Sequence, residues 1–482
     1  MMTHVQKNPF LPANYQELPG AFYREVPALP VKKPELLIFN TELATQLSLP
    51  DNFADVHPDW LSGCAFDPGQ PALALAYAGH QFGQFAGLLG DGRAALLGQT
   101  ENGSGLRHDV QLKGSGPTPF ARGGDGRAPL GAVVREYLIS EAMAGLGLPT
   151  TRSLAIVKTG ENVLRQFGPE PGGILTRTAR SHIRVGTFEL AARLDTGKSV
   201  KALFEFVHQR YFAELSGPRE VLREIIRRQA ELIAGWLSLG FIHGVMNTDN
   251  MSIVGETIDY GPCAFLDDFI PDKVFSSIDR QGRYAFMRQP EMALWNLTRL
   301  AETLVPLFDN DTDRAIRMAT VELQAFQPVF EAAFNRRFAA KFGIANDEHA
   351  PGFIQDSLKM MAEARLDFTL FFRRLTQCAK TGERSLVLEL APDADALKHW
   401  LAEWAGRRHP DAGPIMAAAN PVYIARNHRV EQAIKQAEDG DMAPFLRLAK
   451  ALKTPFAVQE GMDDLELPPR AEEEVRRTFC GT

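Results

Sequence analysis

The sequence predicts an α+β protein with a strand-rich first part and a larger helical second part. Between residues 70 and 115, short apolar runs (LALAYAG, RAALLGQT, RHDVQLKG) alternate with glycines, as in the strands of a small sheet. From about residue 186 the apolar spacing takes a helical period, and beyond residue 290 it stays mainly helical to about 455. With 482 residues, 45% hydrophobic and 23% charged, the chain can bury a bilobal core of two or three packed units.

Four segments follow from this pattern. Residues 1–69 read as an extended, wrapping N-terminal segment, with prolines at 9, 12, 19, 27, 30 and 34. Residues 70–185 form a strand-rich lobe, 186–290 the catalytic part of a helical lobe, and 291–482 a helical C-terminal part ending in a mobile tail. Within the first lobe, Pro129 opens a helix that ends near Gly145 or Gly147. The runs SLAIVKT (153–159), NVLRQF (162–167) and GILTRTA (173–179) add strands. In the second lobe a long amphipathic helix runs from Pro218 to Leu239 and stops at Gly240. The loop GFIHGVMNTDN and two short strand candidates, MSIV and TIDY, come next.

Composition excludes several classes. The net charge is -7 and no Lys/Arg block is interleaved with aromatics, so nucleic acid is not an expected partner. The basic clusters at 223–228 and 407–409 read as solvated helix faces. The four cysteines, Cys64, Cys263, Cys378 and Cys480, form no CxxC pair and no secretory framework. The first ten residues lack an apolar signal core, and the chain has no 18-residue apolar run. A cytoplasmic monomer without membrane attachment is expected.

The candidate chemistry lies in four places. The turn GHQFGQFAGLLGDGRA carries Gly90 and Gly92 beside Arg93; glycines let backbone approach a phosphate closely. Lys113 sits in the strand DVQLKG, and Glu136 follows 23 residues later in the helix VVREYL. A strand lysine steadied by a helix carboxylate is how kinase-like sites hold a phosphate-binding ammonium. Between them ARGGDGRAP offers Asp125 and Gly126. Arg177 and Arg184 leave a strand and enter a turn, and their guanidinium forks suit a polyphosphate or structural ion pairs equally. His243 and Asn250, seven positions apart, share the spacing of a kinase catalytic loop, and Asp259-Tyr260-Gly261 stands where a magnesium-binding Asp is expected. The position two residues after His243 is Val245, where kinases carry a catalytic carboxylate; the nearest carboxylate is Asp249.

These stretches, with REYLISEAM, LTRTARSHIRVGTFE and FIHGVMNTDNMSIVGETIDYGPCAFLD, resemble the SelO/YdiU (selenoprotein O) family over most of residues 70–290. The resemblance implies a protein-kinase-like fold that binds ATP in a flipped orientation and transfers AMP to Ser, Thr or Tyr hydroxyls of proteins. It further implies Gly90, Gly92, Arg93, Lys113, Asp125, Gly126, Arg177, Arg184 and Asp259 at the ATP site, with Glu136 steadying Lys113. Asn250 and Asp259 would hold magnesium, or manganese, and Asp249 would accept the proton. With the nucleotide reversed, the α-phosphate faces the hydroxyl and a base at Asp249 is correctly placed. Cys480, third from the C-terminus, matches the family's selenocysteine position, and a Cys480–Cys263 disulfide is the redox hypothesis this suggests. The alternatives left open are manganese-dependent UMP transfer, conventional phosphoryl transfer and a non-catalytic ATP-binding scaffold.

Overall fold

The computed structural model describes residues 4–166, 168–391 and 394–479. Its main feature is an antiparallel sheet. The strand order is Tyr23–Val26, Ala72–Leu75, Ala94–Glu101, Arg107–Lys113, Gly168–Ala179, Arg152–Arg165 and Glu35–Phe39, with Ala128–Pro129 paired to Gly168–Ala179. The N-terminal segment thus supplies both outer strands of the main path. Two of the expected strands, SLAIVKT and NVLRQF, merge into Arg152–Arg165, because a register shift between Lys158 and Asn162 bends the ladder without ending it. Phe167, the last residue of NVLRQF, lies outside the described residues.

Side chains alternate across a strand, and this decides what each face does. In Arg107–Lys113, Val110 and Leu112 enter an apolar cluster with Phe10, Phe53 and Trp60 of the N-terminal segment. Asp109, Gln111 and Lys113 share the opposite face, where Gln111 pairs directly across from Arg177.

The helix Leu130–Gly145 begins behind Pro129, as expected, and packs across the strands Arg152–Arg165 and Gly168–Ala179. Its outer side is covered by two helices from near the C-terminus, Asn427–Glu438 and Ala443–Lys453. Pro218–Leu239 forms the long helix that its periodicity predicts, closed by Gly240 in the left-handed conformation. From Val185 onward the chain is mainly helical.

MSIV and TIDY are not strands. Ser252 and Thr257 each make one isolated bridge, to Arg184 and Thr150, around a turn at Gly255. The apolar residues of both runs are buried by packing rather than by a ladder. The short ladder there is instead Phe241–Ile242 with Ala264–Phe265. Among the described residues, no helix is long and apolar enough to cross a membrane.

Candidate nucleotide site

A cleft of about 830 Å³ opens between the sheet and the loops that follow the Pro218–Leu239 helix. Gly90, Gly92, Arg93, Lys113, Asp125, Gly126, Arg177, Arg184, Asp249, Asn250 and Asp259 all line it. Residues spread over 170 positions of sequence, singled out by residue type and spacing, therefore meet in one place. Glu136 stands behind them, buried on the Leu130–Gly145 helix.

The centre of the cleft is a charge cluster. Lys113 Nζ donates to Glu136 at 2.6 Å and to Asp259 at 3.0 Å. Arg177 Nη1 donates to the same two carboxylates, at 2.9 and 2.7 Å, and its Nε donates to Gln111 at 2.9 Å. Arg184 Nη1 donates to the other oxygen of Asp259 and to the backbone oxygen of Asp249, both at 2.7 Å. Burial alone would raise the Asp259 carboxyl, but Lys113, Arg184 and Arg177 outweigh it and hold the group well below its usual range. Glu136 is lowered likewise: Lys113 and Arg177 overcome its burial. The backbone of Asp259 is left-handed, at φ 62°, an uncommon conformation for a residue with a Cβ. The three cation contacts hold it there.

Asp249 differs from its neighbours. It lies on the short Thr248–Asn250 turn, 7% exposed. Among the described residues its carboxylate takes one hydrogen bond, from the neutral Gln81 amide at 3.3 Å, and its Oδ1 has no partner. Burial pushes this carboxyl up to about 6, against the pull of Arg184. Asn250 donates through Nδ2 to the Val245 carbonyl at 3.0 Å, which leaves its amide oxygen as the atom that can serve a cation.

His243 organises this loop. It is 1% exposed and stacks on Trp236, and its Nε2 pairs with the carbonyl of Ile258, next to Asp259, at 2.9 Å. Its Nδ1 accepts from the Val245 amide at 3.4 Å, so the ring links the Asp249 loop to the Asp259 loop.

The glycines serve close packing. A Cβ on Gly90 would come within 2.4 Å of the Phe120 ring, and one on Gly126 within 2.1 Å of the Pro117 nitrogen; both glycines have positive φ. Asp125 lies at the rim, paired with Arg165 at 2.9 Å. Earlier in the same glycine-dense turn, Gly79–Gln81 and Gln84–Ala86 form a hairpin. This hairpin docks on the Asp249 loop: the His80 and Phe82 amides donate to Thr248 and Asn247 at 2.6 and 3.0 Å. Sequence reasoning missed Gln81 and Asn247. Gln111 was within reach, because it lies two residues before Lys113 on a strand and must share its face. Cys263 is buried, and Cys480 lies outside the described residues.

Comparison with known proteins shows the family of the chain. A family model described as "Protein adenylyltransferase SelO" matches residues 6–453. The chain is 49% identical over 491 residues to the protein nucleotidyltransferase YdiU of Rhodopseudomonas palustris strain BisB5, covering 97% of this chain and 98% of that protein. It is 50% identical over 469 residues to the protein of the same name from Cereibacter sphaeroides strain KD131, covering 96% and 97%. For the Bradyrhizobium sp. strain ORS 278 protein the identity is 47% over 485 residues, covering 97% and 98%. A match of this extent identifies the chain as an enzyme of the SelO/YdiU family of protein nucleotidyltransferases.

Proposed function

We propose that this enzyme transfers AMP from ATP to Ser, Thr or Tyr hydroxyls of proteins and releases pyrophosphate. The observation that carries the reading is one cleft holding three clustered cations, Lys113, Arg177 and Arg184, beside a carboxylate, Asp249, that is ion-paired to none of them. In this reading the residues before and after position 185 act as two lobes of a kinase-like body. The strand-rich lobe spans 70–185, the catalytic helical part 186–290 and the C-terminal helices 291–482, with 1–69 wrapping the first lobe.

The three cations hold the β- and γ-phosphates, which turns the α-phosphate toward the Asp249 loop. The substrate hydroxyl oxygen attacks the α-phosphorus, and the bond from that phosphorus to the β-phosphate bridging oxygen breaks. The electron pair leaves with pyrophosphate, where Lys113, Arg177 and Arg184 neutralise it. The hydroxyl proton passes to the Asp249 carboxylate, which is mostly ionised near neutral pH with a value of about 6. Asn250 and Asp259 would hold magnesium or manganese: an amide oxygen and a carboxylate are hard donors suited to either ion. A bound ion supplies further neutralisation of phosphate charge. Val245, 7% exposed and without a proton-accepting group, argues against γ-phosphoryl transfer with a kinase-type base.

Isotope partition tests the reading. Label from α-phosphate-labelled ATP is expected in protein, with a mass increase of one AMP, and γ-phosphate label is not. Incorporation of γ label alone would establish phosphoryl transfer instead. Competition between ATP and UTP, repeated with magnesium and with manganese, separates AMP from UMP transfer.

A further inference from the structure

Among the residues that line the cleft, one buried carboxylate belongs to none of the roles above. Asp91 lies between Gly90 and Gly92 and is 3% exposed. Its Oδ2 accepts from the Gln111 side-chain amide at 2.8 Å and from the Leu75 backbone amide at 3.3 Å. Its Oδ1 accepts from the Tyr77 hydroxyl at 3.2 Å and lies 3.5 Å from Arg184 Nη2. Gln111, fully buried, passes the connection on, because its own oxygen accepts from Arg177 Nε. The Tyr77 ring lies beneath the Arg184 guanidinium, 4.5 Å from its centre.

We propose that Asp91 is a positioning residue that orients both polyphosphate-binding guanidiniums, Arg184 directly and Arg177 through Gln111. The inference rests on the reading that these arginines bind phosphate. A guanidinium has five donors in a rigid fork, and its aim is set by the acceptors it meets on its protein side. Glu136 and Asp259 bind Arg177 through one nitrogen, Nη1. Gln111 fixes a second nitrogen, and the Gln111 amide can turn its oxygen toward Arg177 because its NH₂ end is committed to Asp91. For Arg184, Asp259 and the Asp249 carbonyl engage Nη1, while Asp91 and Tyr77 define the position of Nη2 and of the guanidinium plane. Arg184 Nε has no hydrogen-bond partner among the described residues, but the buried acceptors that meet Nη1 and Nη2 hold the plane of its guanidinium. The two forks are therefore pre-aimed, and binding a polyphosphate does not have to order them.

Titration of the purified full-length chain with ATP and with inorganic tripolyphosphate tests this. Asp91→Asn preserves shape but replaces an anionic acceptor by an amide. Binding of both ligands is expected to weaken by about ten- to a hundredfold, with the same fold-loss for each, because the nucleoside end is untouched. Unchanged or tighter binding in a folded Asp91→Asn variant overturns the proposal, because tighter binding would make Asp91 a competing counter-ion of Arg184, and so does a loss for ATP without an equal loss for tripolyphosphate. If Asp91→Asn does not fold, Tyr77→Phe decides. That variant deletes one hydroxyl and keeps the ring, so weaker tripolyphosphate binding supports the proposal and wild-type binding overturns it. Arg184→Ala separates the two levels of the argument: if it also binds tripolyphosphate like wild type, the phosphate reading of the cleft itself is wrong.

Discussion

Arg184 Nη1 and the Asp259 carboxylate meet at 2.7 Å, and Lys113 and Arg177 occupy the other oxygen of the same carboxylate. Asp259 thus stands as counter-ion to all three cations proposed to bind phosphate. Its charge competes with a polyphosphate for them.

Asp259→Asn is therefore expected to abolish transfer and yet to tighten metal-free tripolyphosphate binding by about tenfold or more. Asparagine tolerates the left-handed backbone at this position, so the change is mainly one of charge. Calorimetry in the presence of a chelator reads the outcome. Weaker binding by the variant would show that Asp259 does not compete.

Asp249→Asn removes the proposed proton acceptor while keeping the shape of the Thr248–Asn250 turn. Turnover is expected to fall by about a hundred- to ten-thousandfold, with ATP affinity close to wild type. Single-turnover rates alongside equilibrium nucleotide binding distinguish this from a general loss of the site.

Glu136 is buried and binds both Lys113 and Arg177. Glu136→Ala leaves two sheltered cations short of a partner and is expected to cost about 3–5 kcal/mol of stability. Glu136→Gln, which keeps the acceptor oxygen, is expected to cost less. Urea unfolding of the two variants checks the order.

Lys341, which does not line the cleft, is 2% exposed, with its ammonium 4.1 Å from the centre of the Phe372 ring. Burial pushes it down to about 7 from an ordinary 10.5. Between those values the unfolded chain holds a proton that the folded chain does not, so this residue makes stability rise with pH across that window. Below it, the full cost of burying the charge is present. Lys341→Met is expected to stabilise the protein by about 1–4 kcal/mol in the acidic range, the gain shrinking as pH approaches 10.5. Unfolding midpoints at about pH 6 and about pH 9 test the sign; a gain that grows with pH would contradict it.

The parts of the molecule legible in the sequence are those where chemistry and period coincide. Lys113 was visible because Val110 and Leu112 alternate around it, and the same alternation places Gln111 beside Arg177. The helix Pro218–Leu239 was visible from its spacing and from Gly240 at its end. MSIV and TIDY misled because a short apolar run buried by packing has the composition of a strand. Asp91 was passed over because a carboxylate between two glycines reads as a solvated turn. Its burial depends on Leu75, Tyr77 and Gln111, which only the folded sheet brings to it.

The helix that carries Glu136 is held from behind by the last helices described. Arg135 pairs with Glu431, the Tyr137 ring lies 5.4 Å from that of Phe445, and Gly145 lies close against the Leu452 carbonyl. On the ribosome this has a consequence in time. The strands and the helix are made early, but their outer support is translated some three hundred residues later. A nascent chain that ends before Asn427 exposes the apolar back of the helix bearing Glu136. Completion of the candidate site is therefore tied to the synthesis of residues 427–453, and a chain still lacking them must be kept from aggregating until then.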